Sequence, residues 1–259
     1  MPESNMSYIS RHLPQGIQEK GNEIRTFMPR FGCINERRHQ LHEVIRLSGM
    51  NLIINDNDHP LIIKVASIQP ARMQVYFIDN EDFFQRKAVL CDDKGKMFTD
   101  NDERTVFFCR GVLETVKKLG WAPDVIHCHG WMTSLVPLYL KTAFKNDPLF
   151  SNSKIVYSLY NNPFDKTLSK DFVRKSTMDD ISDEEMSAYA DSSFIGVNKA
   201  AVEWADGVIV GDSSIPKEIV DHARANGVPV LDYQGTDDFV DAYAEFYDQI
   251  MAEDGVLAE

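Results

Sequence analysis

Two clusters of polar residues directly follow apolar segments, and they are the first candidates for chemistry. The first is His127-Cys128-His129-Gly130-Trp131, and the second is Tyr160-Asn161-Asn162-Pro163. In an open parallel sheet, ligands bind beyond the carboxyl ends of the strands. If the two segments are neighbouring strands, His129, Trp131 and Asn161 project from adjacent strand ends. An aromatic ring beside hydrogen-bonding groups suits a sugar, which has an apolar face and a hydroxyl edge.

The first cluster has two other interpretations. His127 and His129 are two residues apart, so they share one face of a strand. A catalytic zinc normally needs three protein ligands, and no third is suggested by spacing, so we expect no metal. In the structural interpretation, one imidazole satisfies a buried backbone group while Trp131 packs in the core.

The remaining polar runs also have structural interpretations. The sequence Asn161-Asn162-Pro163 is typical of a turn. Asp100-Asn101-Asp102-Glu103-Arg104 precedes a helical pattern, where acidic groups cap the positive N-terminus. The acidic stretch Thr177–Asp191 is typical of a solvated loop or exposed helix rather than a cation site. No dinucleotide, P-loop, nucleophile-elbow or zinc-protease motif occurs, and we expect no cofactor.

The elements that position these residues follow from hydrophobic periodicity and turn signals. Strands are predicted at 23–29, 123–128, 154–159, 207–210 and 228–231, with a β-meander over 42–79 whose turns are Asn55-Asp56-Asn57-Asp58 and Gln69-Pro70. Helices are predicted at about 4–20, 100–120, 132–145, 196–204 and 237–252. The alternation predicts an α/β fold, a mainly parallel sheet with helices on both faces plus the meander.

The composition argues against several classes of function. The formal charge of -13 disfavours nucleic-acid binding, which needs a concentrated basic surface. No apolar run reaches the length of about 20 residues that spans a bilayer, and the first residues lack a signal-peptide pattern. We therefore expect a cytoplasmic protein without a membrane partner. The four cysteines are scattered, which predicts free thiols.

Taken in order, these clusters resemble the N-terminal catalytic domain of ADP-glucose-type glycogen and starch synthases. The matching pieces are Leu13-Pro14, Gly21-Asn22-Glu23-Ile24-Arg25, Met28-Pro29-Arg30-Phe31-Gly32, Val75-Tyr76-Phe77-Ile78-Asp79-Asn80, Asp100-Asn101, Arg104, Phe107-Phe108, Leu119-Gly120-Trp121-Ala122-Pro123-Asp124-Val125-Ile126-His127-Cys128-His129 and Ala205-Asp206-Gly207-Val208. They cover roughly residues 5–215.

The resemblance implies two Rossmann-like domains with the active site between them, of which this chain is the first. We expect one domain over 1–259, with 212–259 as a divergent helix-strand-helix extension. The family's first strand, central in its sheet, has no counterpart before residue 2, and we expect it upstream of Met1. The resemblance implies substrate-binding roles for Asp100, Asn101 and Arg104, together with His129, Trp131 and Asn161.

Three departures bear on activity. The family's Lys-Thr-Gly-Gly-Leu phosphate loop aligns with residues 2–6, which lack the lysine and both glycines. Its Asp-Trp-His aligns with residues 130–132, where Met132 replaces the histidine. Its Thr-Ile-His-Asn aligns with residues 158–161, where only Asn161 is kept. Glucose transfer must stabilise a leaving diphosphate, so these losses predict no transfer from ADP-glucose alone and no catalytic residues of its own.

Three functions stay open at this stage. The first is an enzyme completed by a partner chain that supplies the donor-binding domain. The second is a non-catalytic module of glycogen biosynthesis that binds a glucan, such as maltooligosaccharide, or a protein. The third is a small glycosyltransferase-like protein with another donor. The changed loops favour the second, with ADP-glucose as the rival ligand.

Overall fold

The computed structural model describes residues 4–68, 71 and 73–252. The strands are β1 (Thr26–Pro29), β2 (His42–Glu43), β3 (Met50–Ile54), β4 (Asn57–Ile68), β5 (Met73–Asp79), β6 (Val125–His129), β7 (Lys154–Leu159), β8 (Gly207–Val210) and β9 (Val230–Leu231). The helices are α1 (Asn5–Glu19), α2 (Glu81–Phe84), α3 (Asn101–Leu119), α4 (Leu135–Lys141), α5 (Phe172–Ser176), α6 (Asp183–Met186), α7 (Phe194–Glu203), α8 (Lys217–Ala225) and α9 (Phe239–Ala252). Short 3-10 turns cover Trp131–Thr133 and Ser187–Tyr189.

The described residues fall into two compact units. The first comprises residues 4–22, 122–167 and 178–252, and the second comprises the described parts of Glu23–Trp121 and Leu168–Thr177. The organisation of 1–259 as one domain with a divergent extension stays a prediction.

The first unit is built on a parallel sheet with the order β6-β7-β8-β9. Side chains alternate across β7: the Tyr157 hydroxyl donates to Asn198 of α7, whereas Ser158 hydrogen-bonds His127, which also bonds Tyr247 of α9. Successive residues of a strand point to opposite faces. Helices therefore cover both faces of this sheet, which confirms the predicted α/β arrangement.

Helix α9 forms because apolar residues recur three or four positions apart. Phe239, Tyr243, Phe246 and Ile250 are all buried. A side chain at Gly207 of β8 would meet Ile250 at 2.8 Å, so the glycine allows the helix to approach the sheet closely. The helix also contacts α1. The predicted helix over 237–252 is confirmed.

The second unit contains a mixed sheet with the order β1-β5-β4-β2, and β3 pairs with β4. Strand β1 runs parallel to β5, and the other pairs are antiparallel. Asn55 and Asp56 form the two-residue turn between β3 and β4, with φ values of 51° and 63°. Asparagine and aspartate tolerate positive φ in a hairpin turn of this type. The meander and this turn are confirmed; Gln69-Pro70 lies outside the described residues.

The helix predicted over 132–145 is wrong at both ends. A 3-10 turn precedes α4, which covers only Leu135–Lys141. Pro137 lies in the first turn of α4. Backbone N–H groups in a first turn make no hydrogen bond within the helix, so a proline, which lacks this group, is tolerated there. The helix ends where the Thr142 hydroxyl bonds the Leu138 carbonyl at 2.7 Å.

Several smaller predictions can be checked in the described residues. The acidic stretch forms α6 and a 3-10 turn, whose acidic side chains are mostly exposed while Met186 and Tyr189 are buried. The four cysteines carry thiols rather than disulfides. No helix in the described part of the chain is long and apolar enough to cross a membrane.

Candidate functional site

The carboxyl ends of the parallel strands in the first unit converge on one edge. Gly130 follows β6 with a φ of 73°, and a side chain there would meet Met6 of α1 at 2.5 Å and Asn162 at 3.7 Å. A side chain at Gly211, after β8, would meet the Tyr160 ring at 2.5 Å. The two glycines therefore let the N-terminal turn of α1 and the loop after β7 close on the strand ends.

The histidine pair lies on one face of β6, as its spacing predicts. The rings of His127 and His129 are 4.0 Å apart at an angle of 32°. His127 Nδ1 is 2.6 Å from the Tyr247 hydroxyl, and its Nε2 is 2.6 Å from Ser158 Oγ. His129 Nδ1 is 2.9 Å from the hydroxyl of Tyr160. The imidazoles bond side chains, so the prediction that one satisfies a backbone group is not what the structure shows.

Both imidazoles are held in their neutral form. Burial lowers the pKa of His129 to about 4. Burial, together with the neighbouring His129, lowers the pKa of His127 well below its ordinary value. Among the described residues, no group of three or more His, Cys, Asp or Glu is placed to hold a metal ion.

We expect the histidine pair to make the protein lose stability in mild acid. The unfolded chain takes up protons near pH 6.5, whereas the folded His129 does so only near pH 4. The stabilising contribution of the neutral pair is therefore present above pH 6.5 and is lost as the pH falls toward 4. For His129 the loss is on the order of 3 kcal/mol. Urea unfolding at several pH values measures it.

The control for this pH dependence is the double variant His127→Gln and His129→Gln, which removes both titrating groups. Its free energy of unfolding should fall less steeply between pH 6.5 and 4.5 than that of the parent. If the free energy of unfolding falls equally steeply with pH in the two proteins, the histidine pair does not cause the acid sensitivity. The carboxylates would then be its source.

Trp131 is buried rather than presented on the surface. Its side chain is 1% exposed, and its ring meets the Phe164 ring edge-on at 4.8 Å. The indole Nε1 is buried without a hydrogen-bond partner among the described residues. The ring therefore supports the turn after Gly130 from inside, as the structural interpretation predicts.

Asn161 is exposed at the strand edge and belongs to a short polar chain. Its Nδ2 donates to Ser214 Oγ at 3.0 Å, and the Ser214 hydroxyl donates to Asp212 Oδ1 at 2.7 Å. Ser214 and Asp212 lie in the loop after β8. The carboxylate of Asp212 is thus part of the same edge as His129, and it would repel an anionic ligand.

The N-terminus of α1 is closed by its own residues. The Ser7 backbone N–H donates to Ser4 Oγ at 3.2 Å, and the Ser4 backbone N–H donates to Ser7 Oγ at 2.9 Å. This reciprocal arrangement is a capping box. The Ser7 N–H, one of the donors that an anion could use at a helix N-terminus, is therefore already paired with a side chain. Pro2 and Glu3 of the aligned phosphate loop lie outside the described residues.

The other three predicted site residues lie in the second unit, at the start of α3. Arg104 is fully buried; its Nε donates to the Phe83 carbonyl at 2.9 Å, and Nη1 donates to Asn101 Oδ1 at 2.6 Å. Asn101 in turn donates to the Leu90 carbonyl at 2.9 Å. Burial, with the charge of Arg86 nearby, lowers the pKa of Arg104 to about 10. Asn101 and Arg104 are therefore held by internal bonds.

The acidic residues lie at the N-terminus of α3 as predicted, with Asp102 and Glu103 in its first turn. Asp100 occupies the N-cap position, but its carboxylate makes no cap hydrogen bond. Instead, both oxygens accept from Arg86, at 2.9 Å and 2.6 Å. A bidentate guanidinium pair is stronger than a neutral backbone bond. The Asp100 side chain is 27% exposed, so it is the most accessible of the three residues.

Comparison with known proteins decides the family. The model of the starch synthase catalytic domain matches residues 3–231 of this chain. The chain belongs to this family. The glycogen synthase of Chlorobium limicola is 41% identical over 150 residues, covering 58% of this chain and 31% of that protein. That of Chlorobium phaeovibrioides is 34% identical over 213 residues, covering 82% of this chain and 43% of that protein.

A solved starch synthase structure shares the fold. The catalytic domain of starch synthase IV from Arabidopsis thaliana, bound to ADP and acarbose, superposes with a TM-score of 0.70 at 17% identity. The match covers 89% of this chain and 48% of that one. The chain thus spans less than half the length of each of these family members.

Some residues of this site were not singled out from the sequence. Tyr243 and Tyr247 are four positions apart on α9, a spacing that places them on one helix face. The apolar residues that recur three or four positions apart on α9 predict that one face of the helix is buried. This pattern does not indicate that Tyr247 contacts His127. Asp212 and Ser214 follow an apolar strand and could have been found by the strand-end rule that selected Asn161.

Proposed function

We propose that this member of the starch synthase family is a cytoplasmic glucan-binding protein that does not transfer glucose from ADP-glucose by itself. The observation that carries the proposal is the capping box of Ser4 and Ser7 at the N-terminus of α1. In the family this segment is the phosphate loop. Here the serine hydroxyls already pair the N–H groups of Ser4 and Ser7, so these two donors are not available to a diphosphate.

The charge at the strand edge supports the same proposal. The Asp212 carboxylate lies in the hydrogen-bonded chain that ends at Asn161. A nucleotide sugar brings two negative charges to this edge, whereas a glucan is neutral. The amide of Asn161, the imidazole of His129 and the hydroxyl of Ser214 can all hydrogen-bond sugar hydroxyls.

We assign the six predicted site residues different roles within the proposal. His129 and Asn161 contact the glucan in the first unit. Asp100, in the second unit, is 27% exposed and can hydrogen-bond a sugar hydroxyl there. Trp131 and Arg104 are buried, so they position the loops that carry these contacts. Asn101, also buried, holds Arg104 at 2.6 Å and shares that positioning role.

Calorimetric titration with maltooligosaccharide and with ADP-glucose tests the proposal. The solved relative holds both ADP and acarbose, so both classes of ligand deserve the comparison. We expect maltooligosaccharide to bind more tightly, with a dissociation constant on the order of millimolar, the range of a few hydrogen bonds. Asn161→Ala should weaken binding by about two- to tenfold. The matched control is Asn226→Ala, at the end of α8, which should not change it.

Two results would contradict the proposal. Preferential binding of ADP-glucose would favour an enzyme, completed by a partner chain or not. If neither ligand binds at millimolar concentration, a protein-binding regulatory module becomes the better account. The partner chain itself stays a prediction.

A further inference from the structure

The loops that follow β7 and β8 are brought together by the register of the two strands. Leu159 pairs with Val210 in the parallel ladder, and the Gly211 backbone N–H, one residue beyond β8, donates to the Leu159 carbonyl at 2.9 Å. Asn161 and Asp212 each lie two residues past this last pair. The register therefore places the exposed amide of Asn161 beside the loop that contains Asp212.

The hydrogen bonds between these loops have a fixed direction. An ionised carboxylate can only accept, so the backbone N–H and the hydroxyl of Ser214 both donate to Asp212 Oδ1, at 2.9 Å and 2.7 Å. A hydroxyl carries a single proton, and here that proton is committed to the carboxylate. Toward Asn161, 3.0 Å away, Ser214 Oγ can therefore only accept.

This direction decides how the Asn161 amide is turned. Its Nδ2 carries two N–H donors, whereas its Oδ1 can only accept. In the reversed amide, Oδ1 would face Ser214 Oγ without a proton between the two oxygens, unless the bond to Asp212 were given up. Nδ2 therefore faces Ser214, and Oδ1 is turned away from this bond. Within the described part of the chain, the structure shows no hydrogen bond to Asn161 Oδ1.

An acceptor oxygen at this edge selects ligands that can donate to it. A sugar hydroxyl can donate to Asn161 Oδ1, whereas the phosphoryl oxygens of a nucleotide sugar carry no proton at neutral pH. We propose that Asp212 and Ser214 are positioning residues, which hold the Asn161 amide so that the strand edge takes a hydroxyl rather than a phosphoryl oxygen. The identity of the ligand, a neutral glucan, rests on the proposed function. The orientation of the amide is a property of the unliganded protein.

Hydrogen exchange at the Asn161 side chain, followed by NMR of the full chain without ligand, tests the orientation. Ser214→Ala removes the acceptor for Nδ2, and the exchange of the Nδ2 protons with water should become about two- to tenfold faster. Asp212→Ala frees the Ser214 hydroxyl proton, so that the reversed amide can form, and should act in the same direction. Affinity for maltotriose should fall by about two- to tenfold in both variants, because the amide is no longer held ready to accept.

Two conservative variants separate positioning from a general effect on the loop. Ser214→Thr keeps the hydroxyl, and Asp212→Asn keeps an acceptor oxygen, which the Ser214 backbone N–H holds in place. Both should exchange and bind maltotriose like the parent. Ser213→Ala is the matched control in the same loop, since this serine is exposed and the structure shows no side-chain hydrogen bond from it to a described residue. It should also behave like the parent.

The outcomes distinguish this proposal from the proposed function. An unchanged exchange rate in a folded Ser214→Ala protein would overturn the orientation of the amide. If the rate responds while the parent and Ser214→Ala bind maltotriose equally well, the amide does not select the glucan and the positioning role is refuted. If the rate responds and none of the proteins binds maltotriose, the orientation stands and the proposed function fails.

Discussion

The purified chain, incubated with ADP-glucose and glycogen, is expected to transfer no glucose above the level of a protein-free reaction. Transfer requires the leaving diphosphate to be stabilised, and preorganised donors supply most of that stabilisation in enzymes. In this chain the end of α1 is closed by Ser4 and Ser7. The resemblance to the family aligns Met132 with a histidine, and a thioether cannot donate to the sugar. Incorporation of labelled glucose into glycogen is the measurement.

The control for this result excludes a contaminating enzyme. The chain is prepared from a host without its own glycogen synthase, and the variant His129→Ala is assayed beside it. Turnover that survives repurification and disappears in His129→Ala would refute the expectation. The triple variant Ser4→Gly, Asn5→Gly and Met132→His should also remain inactive. Transfer by that variant would show that these three positions alone account for the loss.

Lys175→Met is expected to lower the free energy of unfolding by about 3–5 kcal/mol. Lys175 lies 2.7 Å from Asp102 and 2.8 Å from Glu103, and the Asp102 side chain is fully buried. Burial acts to lower the pKa of Lys175, but the hydrogen bonds to Asp102 and Glu103 raise it above its ordinary value. The lysine is therefore charged at neutral pH. Its removal would leave a buried carboxylate without a countercharge, which is the costly event.

Urea denaturation measures this effect, and an exposed pair provides the control. Lys199 is 2.8 Å from Glu218, but the two side chains are 30% and 58% exposed. Lys199→Met should change stability by less than about 1 kcal/mol, because water screens exposed pairs. The double variant Lys175→Met and Asp102→Asn should recover part of the loss. A Lys175→Met protein as stable as Lys199→Met would contradict the assignment.

The acid sensitivity and the contribution of Asn161 to glucan binding concern different parts of the first unit. The histidine pair lies on the sheet face covered by α9, and His127 bonds Tyr247 there. Asn161 and Asp212 lie on the exposed loops beyond the strands. A variant of Asn161 should therefore change glucan affinity without changing the pH dependence of unfolding, and the two experiments can be read separately.

The elements of the fold follow from local patterns that the sequence contains. The apolar runs of β6, β7 and β8 predict buried parallel strands, and the stripe of α9 predicts a helix with one buried face. Asn55 and Asp56 predict the hairpin turn because their backbones tolerate positive φ. Gly120 ends α3 at a φ of 62°, the left-handed conformation that glycine adopts without strain. Each of these signals acts through the backbone within a few residues.

The chemistry at the strand ends of the first unit and at the start of α3 in the second depends on contacts between residues that are separated in the sequence. His127 meets Tyr247 120 positions later, and Lys175 meets Asp102 from 73 positions away. The Asp100 carboxylate accepts from Arg86 rather than from a backbone N–H of α3, because a bidentate ion pair is stronger than a backbone bond. The sequence determined which side chains stand at the ends of the strands. Only the tertiary structure decided which of them are buried and bonded to one another, since burial and long-range pairing depend on how the elements pack.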